Sequence, residues 1–395
     1  MRDVGTIVRG IRTPIIKEND DLASIVVDSI LKASENNNFE FRDRDVIAIT
    51  EAVVGISEGN YVTVDTIAKD IKNKFNNPEE LGIVFPILSR NRFSIILKAI
   101  ARSTKKLDVL LSFPSDEVGN GILDEEKLDN SKFNLGSVIS EDEYHEYFGD
   151  WLHPFTGINM LDFYKKLIED EGCEARFILA NNPREILKYT NNILCCDIHT
   201  RYKTKKLFES SGATVYGLFE IMNKPIDGSG YNELYGLLGS NKSTEERLKL
   251  FPRTGQQLVE KIQKELKDKT GKTIEVMVYG DGAFKDPVGH IWELADPVVS
   301  PAYTSGLEGT PNELKLKFIS DNKFADLRGD ELKAAIKNEI RNKDKDLKGK
   351  MVTQGTTPRR LTDLIGSLCD LTSGSGDKGT PVVFIQGYFD NLADD

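Results

Sequence analysis

The sequence has few of the residues on which several common protein chemistries depend. Its 395 residues include only four cysteines and four histidines. The cysteines, at positions 173, 195, 196 and 369, lack the paired spacing of a zinc site. We expect them to be reduced thiols in the core of a cytosolic protein. Four histidines leave little room for a histidine-rich metal centre.

Long apolar runs and a basic charge excess are also missing. No stretch of about 18 apolar residues occurs, and residues 1–5 lack the apolar segment of a secretory signal. The formal net charge is −11, whereas non-specific nucleic-acid binding needs a basic face. We therefore expect a cytoplasmic protein with no membrane or nucleic-acid partner. Local arginine and lysine clusters can still bind a phosphate, and an acidic protein readily accepts a divalent cation.

Three familiar catalytic motifs are not found. There is no Walker phosphate loop, no dinucleotide glycine fingerprint after a strand and no nucleophile elbow at a strand-to-helix turn. Gly374-Ser375-Gly376 lies in a predicted loop. The remaining candidates are carboxylates, arginines and lysines with a divalent metal, a combination suited to phosphoryl transfer.

The apolar patterns predict a mixed α/β protein with more than one part, since 395 residues exceed what one core usually organises. Residues 1–106 and 236–395 are expected to form one domain, and 107–235 an α/β insertion within it. The acidic stretch 124–150 is predicted to be a loop, and the lysine-rich stretch 333–350 a solvated helix or loop. Helices are predicted at 22–33, 62–71, 89–100 and 258–266, and strands at 46–50, 109–113, 177–180, 193–196, 214–218 and 274–279.

The C-terminal stretch 353–391 combines a helix, a polar loop and an apolar strand. Thr357 and Pro358 suit the start of a helix, which would place Arg359 and Arg360 in its first turn. First-turn arginines oppose the helix dipole unless an anion is nearby. The loop 373–379 adds Ser375 and Lys378, and a strand follows at 382–385. The pattern fits a pocket for phosphate or carboxylate; the alternative is a helix, a flexible turn and a core strand.

Carboxylates follow three predicted strands, where ligand sites of α/β proteins gather. Asp281 lies between glycines after the strand at 274–279 and suits a hard cation such as Mg²⁺ or Mn²⁺. An ordinary Asp-Gly turn is the alternative. In the second group, Asp197, His199 and Arg201 alternate, so in extended geometry they share one face and suit a metal–phosphate site. A surface Asp–Arg pair is equally compatible. Asp116 is a weaker candidate of the same kind.

Several short pieces, in order, resemble the coenzyme F420-0:L-glutamate ligase family. The resemblance covers the first hundred residues and roughly 236–391. Its pieces are Asn19-Asp20-Asp21-Leu22, Glu58-Gly59, Gly239-Ser240-Asn241, Leu250-Phe251-Pro252, the Asp281 turn and Thr380-Pro381-Val382-Val383 running to Gly387. The resemblance implies a multi-layer fold with mixed sheets.

The resemblance also implies an activity. Family members use a nucleoside triphosphate, GTP or ATP, and a divalent metal to attach L-glutamate through an amide bond to a terminal carboxylate, by way of an acyl phosphate. Asp281 matches a metal-binding aspartate of the family, and a homodimer is expected by analogy. Related branches act on folates, so F420-0-type and folate-type acceptors both stay open.

The sequence also departs from the family pattern. Glu51-Ala52 and Gly55-Ile56 stand where the family carries Ser-Lys pairs, and Leu238-Gly239 replaces an aspartate. Asp197, His199, Arg201, Asp116 or Lys378 could compensate. The predicted site therefore has Asp281, Arg359 and Lys378 as catalytic residues. Its nucleotide-binding residues are Arg360, Ser240, Asn241, Arg201 and Ser375, and its metal ligands are Asp281, Asp197, His199 and Asp116. A non-catalytic ligand-binding protein on the same scaffold and a metabolite phosphatase or kinase are the alternatives.

Overall fold

The structure is a computed structural model that describes residues 4–282, 296–356, 359–373 and 376–394. Within these residues it is a mixed α/β protein, as the sequence predicts. The strands are β1 (Ile7–Ile11), β2 (Val46–Thr50), β3 (Tyr61–Thr63), β4 (Glu80–Val84), β5 (Lys106–Leu111), β6 (Val138–Ser140), β7 (Glu174–Ala180), β8 (Asn192–Cys195), β9 (Thr214–Gly217), β10 (Asn241–Thr244), β11 (Arg247–Lys249), β12 (Glu275–Tyr279), β13 (Ala302–Tyr303) and β14 (Val382–Gln386). The helices are α1 (Leu22–Asn37), α2 (Glu51–Ser57), α3 (Val64–Lys74), α4 (Phe93–Ser103), α5 (Glu125–Asp129), α6 (Glu141–Phe148), α7 (Met160–Asp170), α8 (Arg201–Glu209), α9 (Gly255–Thr270), α10 (Leu316–Asn322), α11 (Gly329–Arg341) and α12 (Leu361–Ser373).

One sheet has five strands in the order β1-β14-β2-β12-β13. Strands β2 and β12 are parallel, and the other pairings are antiparallel. The apolar runs of β2, β12 and β14 are buried because both faces of the sheet are covered. Helices α1 and α9 cover one face, and α12 packs on the other.

A second sheet has six strands in the order β6-β7-β5-β4-β8-β9, parallel except for the edge strand β6. Its loops after β4, β5 and β8 all leave from the same edge. Strand β5 crosses the predicted boundary at residue 106, and β4 precedes it, so this sheet uses residues on both sides of that boundary. The third sheet is antiparallel, in the order β10-β11-β3.

The prediction of a loop at 124–150 is wrong, because this stretch contains α5, β6 and all of α6. Ser140 begins α6 with a capping box: its hydroxyl accepts the Glu143 N–H, and the Glu143 carboxylate accepts the Ser140 N–H. Tyr144 and Phe148 then bury one helix face. The many acidic residues lie in the first turn, where the helix dipole favours them.

Most other predicted elements are confirmed within a few residues, including α1, α9 and the strand at the C-terminus. The stretch 62–71 begins as strand β3 before α3 starts at Val64. Helix α12 is described from Leu361, so Arg359 and Arg360 precede it, and Thr357 and Pro358 lie outside the described residues. None of the helices in the described ranges has the length and apolar character needed to cross a bilayer.

We predict that Ser140→Ala loosens the first turn of α6. Loss of an N-cap hydroxyl costs about 1 kcal/mol, which corresponds to about fivefold faster amide exchange if that turn opens locally. Hydrogen exchange of the peptide 138–148 measures this directly. Ser140→Thr keeps the hydroxyl and should exchange like the wild type; equal exchange in the alanine variant would contradict the capping role.

Candidate functional site

A cavity of about 860 Å³ lies where the three sheets meet. The five-stranded sheet contributes the ends of β2 and β12 and the loop before β14. The six-stranded sheet contributes the loops after β4 and β5, and the small sheet contributes β10 and β11. The wall is formed by residues 50–53, Ile56, Tyr61, 87–92, Val118, Asn120, 241–243, Lys249, 279–281, Asp370, Ser373, Gly376 and 379–381.

The register of the five-stranded sheet determines what faces this cavity. Thr50 and Tyr279 are partners at the carboxyl ends of the parallel strands β2 and β12. Glu51 and Asp281 follow them, so both carboxylates leave the sheet at the same edge. The Thr50 N–H donates to the Pro381 carbonyl at 3.0 Å, which fixes the loop before β14 at this edge as well.

Arg92 joins the six-stranded sheet to this edge. Its Nη2 lies 2.9 Å from Oδ1 and 2.8 Å from Oδ2 of Asp281, and its Nη1 lies 2.7 Å from Oδ1 of Asp296. The other oxygen of Asp296 accepts the Asp281 N–H at 2.8 Å. The three side chains therefore form one hydrogen-bonded group, in which Asp296 is almost completely buried.

A second ion pair lies in the wall of the same cavity. Lys249 Nζ, from β11, is 2.6 Å from Oε2 of Glu51, and both side chains are only 5% exposed. The amide of Asn241 donates to the other Glu51 oxygen at 3.2 Å. Two strands of the small sheet thus provide the hydrogen-bond donors of the Glu51 carboxylate. These contacts hold the small sheet against the start of α2.

Glycines on either side of Asp281 allow two further carboxylates to approach the backbone. A Cβ at Gly280 would lie 2.1 Å from Oδ2 of Asp296, and one at Gly282 would lie 3.0 Å from Oδ2 of Asp370. The same Asp370 oxygen accepts the Gly282 N–H at 3.0 Å. The C-terminal helix α12 therefore contributes Asp370 to the site.

Burial, helped by neighbouring carboxylates, raises the pKa values of Asp281, Glu51 and Asp370. Burial, followed by the charge of Asp296, raises the pKa of Asp281 well above its usual range, although Arg92 opposes the shift. Burial also raises the pKa of Glu51 and that of Asp370. Burial would lower the pKa of Arg92, but Asp296 and Asp281 raise it, so the guanidinium stays charged. Further positive charge would stabilise the ionised carboxylates.

The donor set fits a hard divalent cation. When ionised, Glu51, Asp281, Asp296 and Asp370 carry two more charges than Arg92 and Lys249 neutralise, and carboxylate oxygens are the ligands that Mg²⁺ and Mn²⁺ prefer. Among the described residues, no three His, Cys, Asp or Glu side chains already surround a common point in a metal-binding arrangement. The Arg92 guanidinium lies between the carboxylates of Asp281 and Asp296, which accounts in part for the distance between their oxygens.

Asp116 holds two cavity loops together. Its Oδ2 accepts the Leu88 N–H at 2.8 Å and the Asn120 amide at 2.7 Å. Its Oδ1 accepts the N–H groups of Val118 and Asn120 at 3.0 and 2.9 Å. Burial raises the pKa of Asp116 to about 6. These four hydrogen bonds use the lone pairs that a metal would need. In this structure the predicted ligand Asp116 therefore anchors the two loops.

The structure places Asp197, His199 and Arg201 at the start of α8. Asp197 Oδ2 accepts the hydroxyls of Thr200 and Thr204, and burial raises the pKa of Asp197. The N–H groups at positions 198, 199 and 200 donate to the Glu117 carboxylate. The protein's own glutamate thus occupies the anion-binding helix start.

The other predicted residues are divided between the cavity and the surface. Asn241 and Asp281 belong to the wall. Ser240 is buried in a small adjacent pocket of about 20 Å³ that shares Arg92 with the cavity. Arg359, Arg360 and Lys378 are exposed. Ser375 lies outside the described residues.

Sequence patterns alone left five residues of the group unassigned: Glu51, Arg92, Lys249, Asp296 and Asp370. Glu51 had a usable signal, because it follows an apolar strand just as Asp281 does. Arg92 meets its partners across 189 and 204 positions of the chain, and Lys249 meets Glu51 across 198. No local pattern contains such contacts.

The fold and the site together describe a mixed α/β protein with a cavity lined by carboxylates, arginines and lysines. The sequence profile of the F420-0:gamma-glutamyl ligase family matches residues 10–387. The chain therefore belongs to the F420-0:gamma-glutamyl ligase family, whose members carry out γ-glutamyl ligation. The match includes the residues predicted to be an insertion. No curated protein gave a significant match.

We predict that Asp116→Asn destabilises the protein by about 2–4 kcal/mol, since an amide nitrogen would face two of the four donors whichever way it is turned. Thermal or urea unfolding measures the loss. Asp150→Asn is the control, because Asp150 pairs with Lys127 on the surface and its side chain is 75% exposed. Equal stability of the two variants would contradict the anchoring role.

We also predict that Gly280→Ala displaces Asp296. The new methyl group would overlap Oδ2 of Asp296, and overpacking of this kind costs roughly 1–3 kcal/mol. The melting temperature should fall accordingly. Gly376→Ala tests a glycine of the same cavity wall with open space around its Cβ position, and it should melt like the wild type. A Gly280→Ala variant as stable as Gly376→Ala would contradict the close approach.

Proposed function

We propose that the protein is a nucleoside-triphosphate- and divalent-metal-dependent γ-glutamyl ligase. It would join the amine of L-glutamate to the terminal carboxylate of a coenzyme of the F420-0 or tetrahydrofolate type, with GTP or ATP as co-substrate. Family membership supports γ-glutamyl ligation. The observation that carries the rest is a group of three carboxylates, one arginine and one lysine in the wall of a cavity of about 860 Å³, with the buried Asp296 hydrogen-bonded to it.

The proposed reaction has two steps. An oxygen of the acceptor carboxylate attacks the γ-phosphorus of the nucleotide, and the nucleoside diphosphate leaves with the electrons of the broken P–O bond. The glutamate amine then attacks the carbonyl carbon of the acyl phosphate, inorganic phosphate leaves, and the amine loses a proton to form the amide. Both steps bring anions together, so positioning and charge neutralisation supply most of the catalysis.

Asp281 and Asp370, with Glu51 beside them, are the proposed cation ligands, because their oxygens lie at the same edge of the five-stranded sheet. The cation would neutralise charge on the transferred phosphoryl group. The three carboxylates would hold the cation at the cavity wall. Asp197, His199 and Asp116 remain predicted ligands from sequence only, and their hydrogen bonds serve loops and a helix start.

Cationic and amide groups of the wall are suited to the anionic substrates. Arg90 from the loop after β4, and Lys242 and Lys249 from the small sheet, line the same cavity as Asn241. We assign them to the phosphates of the nucleotide and the carboxylates of the two acids. Arg359 and Lys378 stay predicted catalytic residues and Arg360 a predicted nucleotide-binding residue. Their exposed positions would require them to act from the cavity's surroundings. A homodimer is proposed by analogy with the family.

We predict that Asp281→Asn lowers ligase turnover by roughly a hundredfold or more, since metal-assisted charge neutralisation contributes several kcal/mol to such transition states. The assay follows transfer of labelled glutamate to each acceptor type in the presence of Mn²⁺ and GTP or ATP. Asp150→Asn, an exposed carboxylate change of the same kind, should keep wild-type turnover.

The outcomes separate the competing functions. No label transfer to either acceptor, together with no stabilisation by nucleotide and metal, would contradict the ligase proposal. Joint stabilisation without turnover would instead indicate a ligand-binding protein. Phosphate release that does not depend on glutamate would indicate a phosphatase or kinase.

A further inference from the structure

Arg92 occupies the position in which a cation would meet the carboxylates. It belongs to the loop between β4 and α4 of the six-stranded sheet, yet its guanidinium contacts Asp281 and Asp296, which follow strand β12. Nη2 is within 2.9 Å of both oxygens of Asp281. A divalent cation that approaches this face of the carboxylate meets the guanidinium already in contact with both oxygens, and the two positive charges repel each other.

The backbone that carries Arg92 is held firmly. The Ser89 hydroxyl accepts the Arg92 N–H at 3.0 Å. Tyr164, from α7, donates to the Ile87 carbonyl at 2.6 Å and accepts the Ser89 N–H at 2.8 Å. Asp116 holds Leu88 in the same loop. The long side chain of Arg92 is therefore the part that can change position, and the 860 Å³ cavity beside it provides the space.

Arg92 also compensates a charge problem that the fold creates. The Asp281 N–H donates to the Asp296 carboxylate, and both side chains lie largely buried. The two carboxylates would therefore repel each other if no cation lay between them. An arginine does not escape by losing its proton, since its guanidinium remains charged in proteins. The guanidinium must move when another cation takes its place.

We propose that Arg92 is a built-in counter-ion, which holds Asp281 and Asp296 together in the metal-free protein and is displaced from Asp281 when a divalent cation binds. Arg92 is thus a positioning residue that competes with the metal. This inference rests on the proposed function, because it takes Asp281 as a metal ligand. It goes beyond that function by assigning a residue that weakens metal binding while it keeps the empty site ordered.

The test is the affinity of the full chain for Mn²⁺, measured by the electron paramagnetic resonance of free Mn²⁺ without nucleotide. Arg92→Gln should bind Mn²⁺ roughly tenfold or more tightly than the wild type, because a positive charge in contact with the ligand is removed. A purely structural role predicts the opposite, since loss of the ion pairs would disorder the site. Arg92→Lys, with one point charge in place of a bridging fork, should lie between the two.

Arg90→Gln is the matched control. It makes the same charge change two residues away, in the same cavity wall. We expect its Kd for Mn²⁺ to differ from the wild type by less than about threefold, because a more distant, solvent-exposed charge is screened. Equal tightening in both variants would overturn the proposal, as would unchanged or weaker binding by Arg92→Gln. If that variant does not fold, Arg92→Lys must still bind Mn²⁺ more tightly than the wild type.

Asp281→Asn distinguishes this inference from the proposed function. If Asp281→Asn abolishes Mn²⁺ binding but Arg92→Gln does not bind Mn²⁺ more tightly than the wild type, only the role of Arg92 is overturned. Equal binding by the wild type and Asp281→Asn would remove Asp281 as a ligand and overturn both. Binding by Arg92→Gln where the wild type binds none would support the competition strongly, and no binding by either would overturn both.

Discussion

The parallel register of β2 and β12 is the constraint on which the site depends. Because Thr50 and Tyr279 end their strands side by side, Glu51 and Asp281 emerge at one edge although 230 positions separate them along the chain. The antiparallel strand β14 brings Pro381 to the same edge. Carboxylates and backbone donors converge there as a consequence of strand pairing, before any side-chain interaction is considered.

Convergence of carboxylates has a cost that the rest of the fold offsets. Burial, followed by the nearby charge of Asp296, raises the pKa of Asp281 and that of Glu51. The two compensating cations come from the other two sheets: Arg92 from the loop after β4 and Lys249 from β11. These ion pairs therefore connect all three sheets in the wall of the cavity.

The sequence allowed the layout of this site to be predicted only in part. Asp281 could be identified because it follows an apolar strand between two glycines, and the structure shows that both glycines admit a neighbouring carboxylate. Asp197 also follows an apolar strand, although without flanking glycines, yet Glu117 occupies the adjoining helix start. Only the tertiary structure distinguishes the two positions.

The same reasoning applies to the elements. Long periodic stretches such as α1 and α9 were predictable because their apolar faces repeat at helical spacing. Helix α6 was missed because its acidic composition resembles a loop, although the Ser140 and Glu143 capping pair was visible. Arg92 and Lys249 could not be assigned, because their partners lie about 200 positions away.

In this member of the F420-0:gamma-glutamyl ligase family strand pairing concentrates acidic groups, and we propose that a divalent cation completes their neutralisation. The most direct measurement is a crystal structure with Mn²⁺, in which anomalous scattering locates the ion. The account predicts a peak bonded to Asp281, with the Arg92 guanidinium moved away from that carboxylate. A saturating Mn²⁺ concentration that leaves Arg92 on Asp281 and shows no peak there would contradict it.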